Sequence, residues 1–445
     1  CEKFAPTFWI NTAGILSRSA LEDSMIRRTS GIVAASAMLV IAMFTAPPLH
    51  AGDDTEAGSK PATIMLSNFQ AASVVIGQAD FSGSMSNQGD GPAADSIASA
   101  FGAAAVGPTG VLYLSDEDNQ RVLGFTGIPS SDGASAAFVL GQPNLSSSGE
   151  ANGANQFGGP QSPVIAGKEL LVSDWFNSRV MIWKTAPTKT QVPANFVVGQ
   201  AKFGTRAPGC SAKGMDAPET ISAAGGKLVV ADSDNARVLI FKKIPKKNGA
   251  KANIVLGQNN FNTCVTLNNG SGTSGAPSAA NFSYPAGVWT DGKRIVVTDE
   301  DESRVLIWTK FPTKNFQPAN IVLGQPDFTS DVENNNGSGG SGTPSAKNMD
   351  MPYDGVFSNG TQLFIDDQMN NRILVWNTFP TANFTPADVV IGQTDFTCGV
   401  INNDGTCHTG SPSASNLNNP TGIFQIGNQL IVTDGNSRYL IYNGM

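Results

Sequence analysis

Six aspartates in this chain are followed closely by an arginine: Asp116 and Arg121, Asp174 and Arg179, Asp232 and Arg237, Asp299 and Arg304, Asp367 and Arg372, and Asp434 and Arg438. Most copies carry an asparagine between the two, in an Asp-x-x-Asn-x-Arg phrase; Glu302 replaces it in the fourth, and the sixth is one residue short. A carboxylate and a guanidinium at this spacing can form a charge-assisted clip. The Asp is expected to accept backbone amides of its own turn, and the Arg to return to that Asp or reach a carbonyl of a neighbouring unit. Six equivalent copies point to a structural duty, since a catalytic site rarely needs six.

Catalytic chemistry is harder to assemble. The chain has two histidines, His50 and His408, too few for a multi-histidine zinc site. His408 follows Cys407 in a long polar stretch without the Cys-x-x-Cys-His spacing of haem attachment. Calcium would need carboxylate and amide oxygens. Alignment of the repeats brings Gln161, Glu219, Asp354 and Thr421 to one equivalent position, where side chains can face a common centre. Only Glu219 and Asp354 are acidic, so they are the candidate metal ligands, and all four are candidate ligand-binding residues. No catalytic residue is assigned and no cofactor is expected, calcium being the one possibility.

The elements that would position these residues follow from a second phrase, Gly-Gln-x-x-Phe in most copies: VVIGQADF, FVLGQPNL, FVVGQAKF, IVLGQNNF, IVLGQPDF and VVIGQTDF. It alternates with the Asp/Arg phrase in a unit of about 58–68 residues. Each unit reads as four short β-rich runs, A to D. A Gly- or Asn-bearing hairpin turn separates A from B, the Asp/Arg turn separates B from C, and D ends in Gly-Gln. In blade one the Ala-rich stretch Phe101–Ala105 is expected as strand A. A four-stranded unit cannot bury both faces alone, whereas six in a ring can. The first Gly-Gln strand precedes any A, B and C, and the last unit lacks a D. The expected fold is therefore an all-β six-bladed propeller whose N-terminal strand completes the last blade, removing an open edge.

LYLSDEDNQRVLGF and PAGVWTDGKRIVVTDEDESRVLIW resemble NHL repeats, and the Gly-Gln-x-x-Phe phrase resembles a secreted bacterial subgroup of that family. The resemblance spans about residues 72–445. It implies six-bladed propellers that carry ligands near the central channel, on the face of the B–C turns and D–A loops. Some relatives are enzymes, among them a zinc-dependent amidating lyase and a streptogramin lyase that lean on histidine, and related propellers are calcium-dependent lactonases.

Residues 1–24 are expected to be upstream, non-native sequence, 25–51 a secretory signal peptide, and 52–71 a linker. The formal net charge is −8, which argues against nucleic acid as a partner. Cys210, Cys264, Cys398 and Cys407 follow the leader, an even set that fits an oxidising compartment. Cys398–Cys407 and Cys210–Cys264 are the expected bridges. Lysines gather on the A–B turns and C–D links of blades two to four, including Lys242, Lys243, Lys246 and Lys247, and most acids fall on the opposite face. These features predict a periplasmic or secreted monomeric module without a membrane span after signal cleavage. Its long Gly/Ser/Asn loops would bind a protein or glycan; a calcium-dependent lactonase or lyase-like hydrolase is the alternative.

Overall fold

β-Branched residues dominate the strands, and nearly every strand residue is buried, because each sheet is sandwiched between two others. The computed structural model describes residues 62–445; the expected leader and upstream segment lie outside them. Among the described residues are six four-stranded antiparallel sheets. Blade one comprises Ala105–Val106, Leu112–Asp116, Arg121–Phe125 and Phe138–Leu140. The inner strands of blades two to five are Pro160–Ala166, Pro218–Ala224, Pro285–Thr290 and Val356–Ser358. Blade six runs Gly422–Ile426, Gln429–Asp434 and Arg438–Asn443, and its outer strand is Val74–Ile76, in the register Val75 to Leu440.

The core lies between blades. Val229, Val238 and Leu256 of blade three, for example, pack with Val297, Leu306 and Trp308 of blade four. Trp183, Trp308 and Trp376 close the outer ends of their blades, each indole N–H donating to a C–D link carbonyl: Val192, Gln317 and Thr385, at 2.9, 2.9 and 3.0 Å. Hydroxyls just before the clip aspartates stitch neighbouring blades together. Ser115 donates to the Gln161 carbonyl, Ser173 to Glu219, Thr298 to Tyr353 and Thr433 to Gly102, the last joining blade six to blade one.

Two details differ from expectation. The inner strand of blade one is only Ala105–Val106, because the residues before it pair poorly: Ala100 makes a single bridge to Asp116. Residues 62–71, expected as part of a linker, attach closely to blades five and six. Ile64 and Leu66 are buried, Ile64 exchanges backbone bonds with the Gln362 amide at 2.8 and 2.9 Å, and Phe69 N–H donates to Val390. No helix among the described residues is long and apolar enough to cross a membrane.

Candidate functional site

The clips form in all six blades, as ion pairs with no side-chain exposure on either partner. Arg237 Nε, for instance, donates to Asp232 Oδ2 at 2.6 Å. One guanidinium nitrogen also reaches the carbonyl of the Phe in the Gly-Gln-x-x-Phe phrase: Phe261 from Arg237, Phe328 from Arg304, Phe396 from Arg372 and Phe81 from Arg438. In blade one the acceptor is Leu145, and in blade two Asn152 takes this place. The expectation for the aspartate needs correction. Its Oδ1 accepts an amide of the loop leading into the same blade, from Ala98, Gly158, Asp216, Ser283, Asp350 and Asn418. The intervening turn, a 3-10 turn in blades two to five, directs its own amides elsewhere; only at Asp434 does a turn amide, Asn436, also approach, at 3.5 Å.

The Gly-Gln pairs complete this frame. Gln258 donates to the carbonyls of Ala236 and Val265, and Gln325 and Gln393 do the same in blades four and five. Gly257 has φ +82°, and a Cβ there would lie 2.7 Å from the Ala236 carbonyl oxygen, so glycine is required. Both expected disulfides are present, Cys210–Cys264 and Cys398–Cys407, with Cα–Cα distances of 6.2 and 5.6 Å.

With the repeated residues committed to structure, chemistry is left to what differs between blades. Strand register puts Gln161, Glu219, Ala286, Asp354 and Thr421 at equivalent positions, each two residues before the partner of the residue two before the clip aspartate. The same count gives Gly102 in blade one. Gln161, Glu219, Asp354 and Thr421 are all buried, so the four residues picked from the repeats share one level of the inner wall.

Glu219 is the best-held of them. Tyr284 and Tyr353 donate their hydroxyls to its Oε1 at 2.8 and 2.9 Å, and Ser233 approaches Oε2 at 3.4 Å. Burial pushes its pKa up to about 7 against the pull of the two phenols. Asp354 is different: neither carboxyl oxygen accepts a hydrogen bond from an N–H or hydroxyl, and its own proton is shared with Glu219. Burial, then the charges of Glu219, Asp366, Glu300 and Glu117, hold its pKa well above the usual carboxylate range. Burial raises Glu117 to about 8, with Asp118 adding to it, and Glu300 to about 9, with Glu219 adding to it. Buried carboxylates that face one another share protons instead of ionising together.

Tyr284, Tyr353, Glu117, Glu300 and Asp366 were not picked out from sequence. Glu117 and Glu300 directly follow clip aspartates, a position that varies between blades as Glu, Trp, Ser, Glu, Gln and Gly, and that variation was the available signal. The residues do not fit calcium well. Glu219 Oε1 is already taken by two phenols, and among the described residues no three His, Cys, Asp or Glu side chains come together as metal ligands.

A second feature lies on the face of the B–C turns and D–A loops. Among the described residues the exposed large apolar side chains are Met65, Met85, Phe176, Met351, Met369, Ile401 and Met445, at 37 to 75 % exposure. Met65 and Met445 sit together where Met445 N–H donates to the Met65 carbonyl. The other five belong to D–A loops and B–C turns of blades five, six, one and two, consecutive around the ring. Asp234 and Asp301 mark the same face of blades three and four.

No family model matches the chain, and no curated protein matches it. Among solved structures it is similar to the WD40 beta propeller domain of Doa1, with 9% identity and a TM-score of 0.43 over 86% of this chain and 95% of that one. It is also similar to virginiamycin B lyase from Staphylococcus aureus, with 12% identity and a TM-score of 0.39 over 79% of this chain and 97% of that one. The propeller assignment rests on the strand pairing itself.

Proposed function

We propose that this protein is a non-catalytic binding module that engages a protein partner through its loop face. The observation that carries the reading is the placement of Met85, Phe176, Met351, Met369 and Ile401, five exposed apolar side chains on that one face. Scattered apolar residues need no explanation, but a set confined to one face of a rigid frame is how interaction surfaces look. Met and Phe favour a protein over a glycan, and the acids of blades three and four favour a partner with basic residues beside its apolar contact. The Asp-x-x-Asn-x-Arg clips support an NHL-type propeller, and the two disulfides support a periplasmic or secreted setting.

The test is capture of a partner from the native envelope by the mature domain, compared across two variants. Changing Phe176, Met351 and Met369 together to serine is expected to abolish capture without moving the melting temperature. Changing Lys242, Lys243, Lys246 and Lys247 to glutamate, on the opposite face, is expected to leave capture intact. Capture that survives the first set and fails with the second would overturn the reading.

A further inference from the structure

The inner wall encloses a cavity of about 290 Å³, at the lower end of small-ligand pockets. It runs from Asp354 towards the A–B turns. At that end its walls are Val106, Ile165, Ala223, Phe357 and Phe424, all partly exposed, so the cavity opens there. Trp289 adds a further aromatic wall, braced by the Arg294 guanidinium 5.6 Å from its ring, and Arg294 in turn pairs with Asp291. Asp354 is the one ionisable side chain that lines this cavity, and no basic side chain does.

The inner end is short of hydrogen-bond donors. Asp354 is 3% exposed, and its oxygens accept no hydrogen bond from an N–H or hydroxyl of the protein, its one side-chain hydrogen bond being the proton it shares with Glu219; at its level the acceptor Gln161 Oε1 is also buried without a donor. A buried acceptor without a donor is costly. The charges that weigh most on Asp354 are other carboxylates, Glu219, Asp366, Glu300 and Glu117. The missing complement is therefore positively charged, rich in N–H and attached to an apolar body. An ammonium group offers three donors and no acceptor.

We propose that the channel binds a small amphiphilic primary amine, its ammonium on the Asp354 carboxylate and its apolar body against Val106, Ile165, Trp289, Phe357 and Phe424. This site is separate from the loop face, and neither depends on the other. In the free protein a proton on the carboxylate cluster limits the repulsion. When the ammonium enters, that proton leaves to solvent, so the charge inside the channel is unchanged.

Calorimetric titration of the full propeller tests this with phenethylamine, its alcohol analogue phenylethanol, and calcium chloride. Charge-assisted hydrogen bonds predict that the amine binds at least about tenfold more tightly than the alcohol. In buffers of different ionisation enthalpy the amine should release about one proton per site. Asp354→Asn should weaken the amine by at least about tenfold, with the melting temperature unchanged or raised. Equal binding of alcohol and amine would overturn the proposal, as would no amine binding, undiminished amine binding to a folded Asp354→Asn variant, or calcium excluding the amine. Should Asp354→Asn fail to fold, the comparison of amine with alcohol on the unaltered protein still decides.

Discussion

The clip arginines set the stakes for single residues. Arg304 gives its Nε and Nη2 to Asp299, its Nη1 to the Phe328 carbonyl and its Nη2 also to the Asn281 carbonyl, with both the Arg304 and Asp299 side chains fully buried. Truncation would leave a buried carboxylate and two carbonyls without their donor. Arg304→Ala is therefore expected to cost about 3–5 kcal/mol, read from urea unfolding. Replacing both partners by apolar residues of similar volume should cost less, because no charge is then stranded. A loss below about 1 kcal/mol for Arg304→Ala would mean that the clip is dispensable. The clips were legible from spacing, because an Asp and an Arg on either side of one turn have little choice of partner. Their second halves were less so: the acceptors of Arg304 lie 24 and 23 residues away, where only the fold decides what is near.

At the scale of elements, the D–A loops combine length with order. Those entering blades four, five and six repeat one arrangement, in which Asn268, Asn335 and Asn403 donate to the Gln of the preceding Gly-Gln pair at 2.6, 2.7 and 2.7 Å. Cys398–Cys407 ties down the last of these loops, and Cys210–Cys264 links the loops entering blades three and four. In the chain-entropy picture the bridge spanning 9 residues contributes about 3 kcal/mol and the one spanning 54 about 4 kcal/mol. Changing Cys210 and Cys264 to serine should thus lower the unfolding free energy more than changing Cys398 and Cys407. The opposite order would show that local loop packing outweighs chain entropy. Gln161, Glu219, Asp354 and Thr421 could be read from sequence because the repeat aligns inner strands blade by blade. Tyr284 and Tyr353 could not. They belong to blades four and five but serve Glu219 of blade three, a convergence across the channel that no single-blade alignment contains.

For the molecule as a whole, the buried acids predict an unusual response to pH. Glu219, Glu117 and Glu300 have folded pKa values raised to about 7, 8 and 9. A carboxyl with a raised folded pKa holds its proton longer when folded. Its contribution to stability is complete below the unfolded value near 4.5 and is lost as pH rises through the folded value. The melting temperature should therefore fall steadily between about pH 6 and 9. Asp80, Asp327, Asp395 and Asp404, lowered by hydroxyl and amide donors, act in the opposite sense, and their contributions disappear only in acid below the usual Asp value. A melting temperature that is flat or rising from pH 6 to 9 would show that the central acids are not protonated as described. Removing one of them, as in Asp354→Asn, should flatten the alkaline limb.

The pairing of Val74–Ile76 with Arg438–Asn443, secured by Arg438 on the Phe81 carbonyl, carries a consequence in time. The earliest strand of the propeller to be synthesised belongs to the blade synthesised last. Blades one to five can each form from contiguous chain, while that apolar strand has to stay unpaired until the rest is made. Its final docking closes the most distant contact in the ring, a slow kind of step that leaves a strand edge open to wrong partners until it is complete.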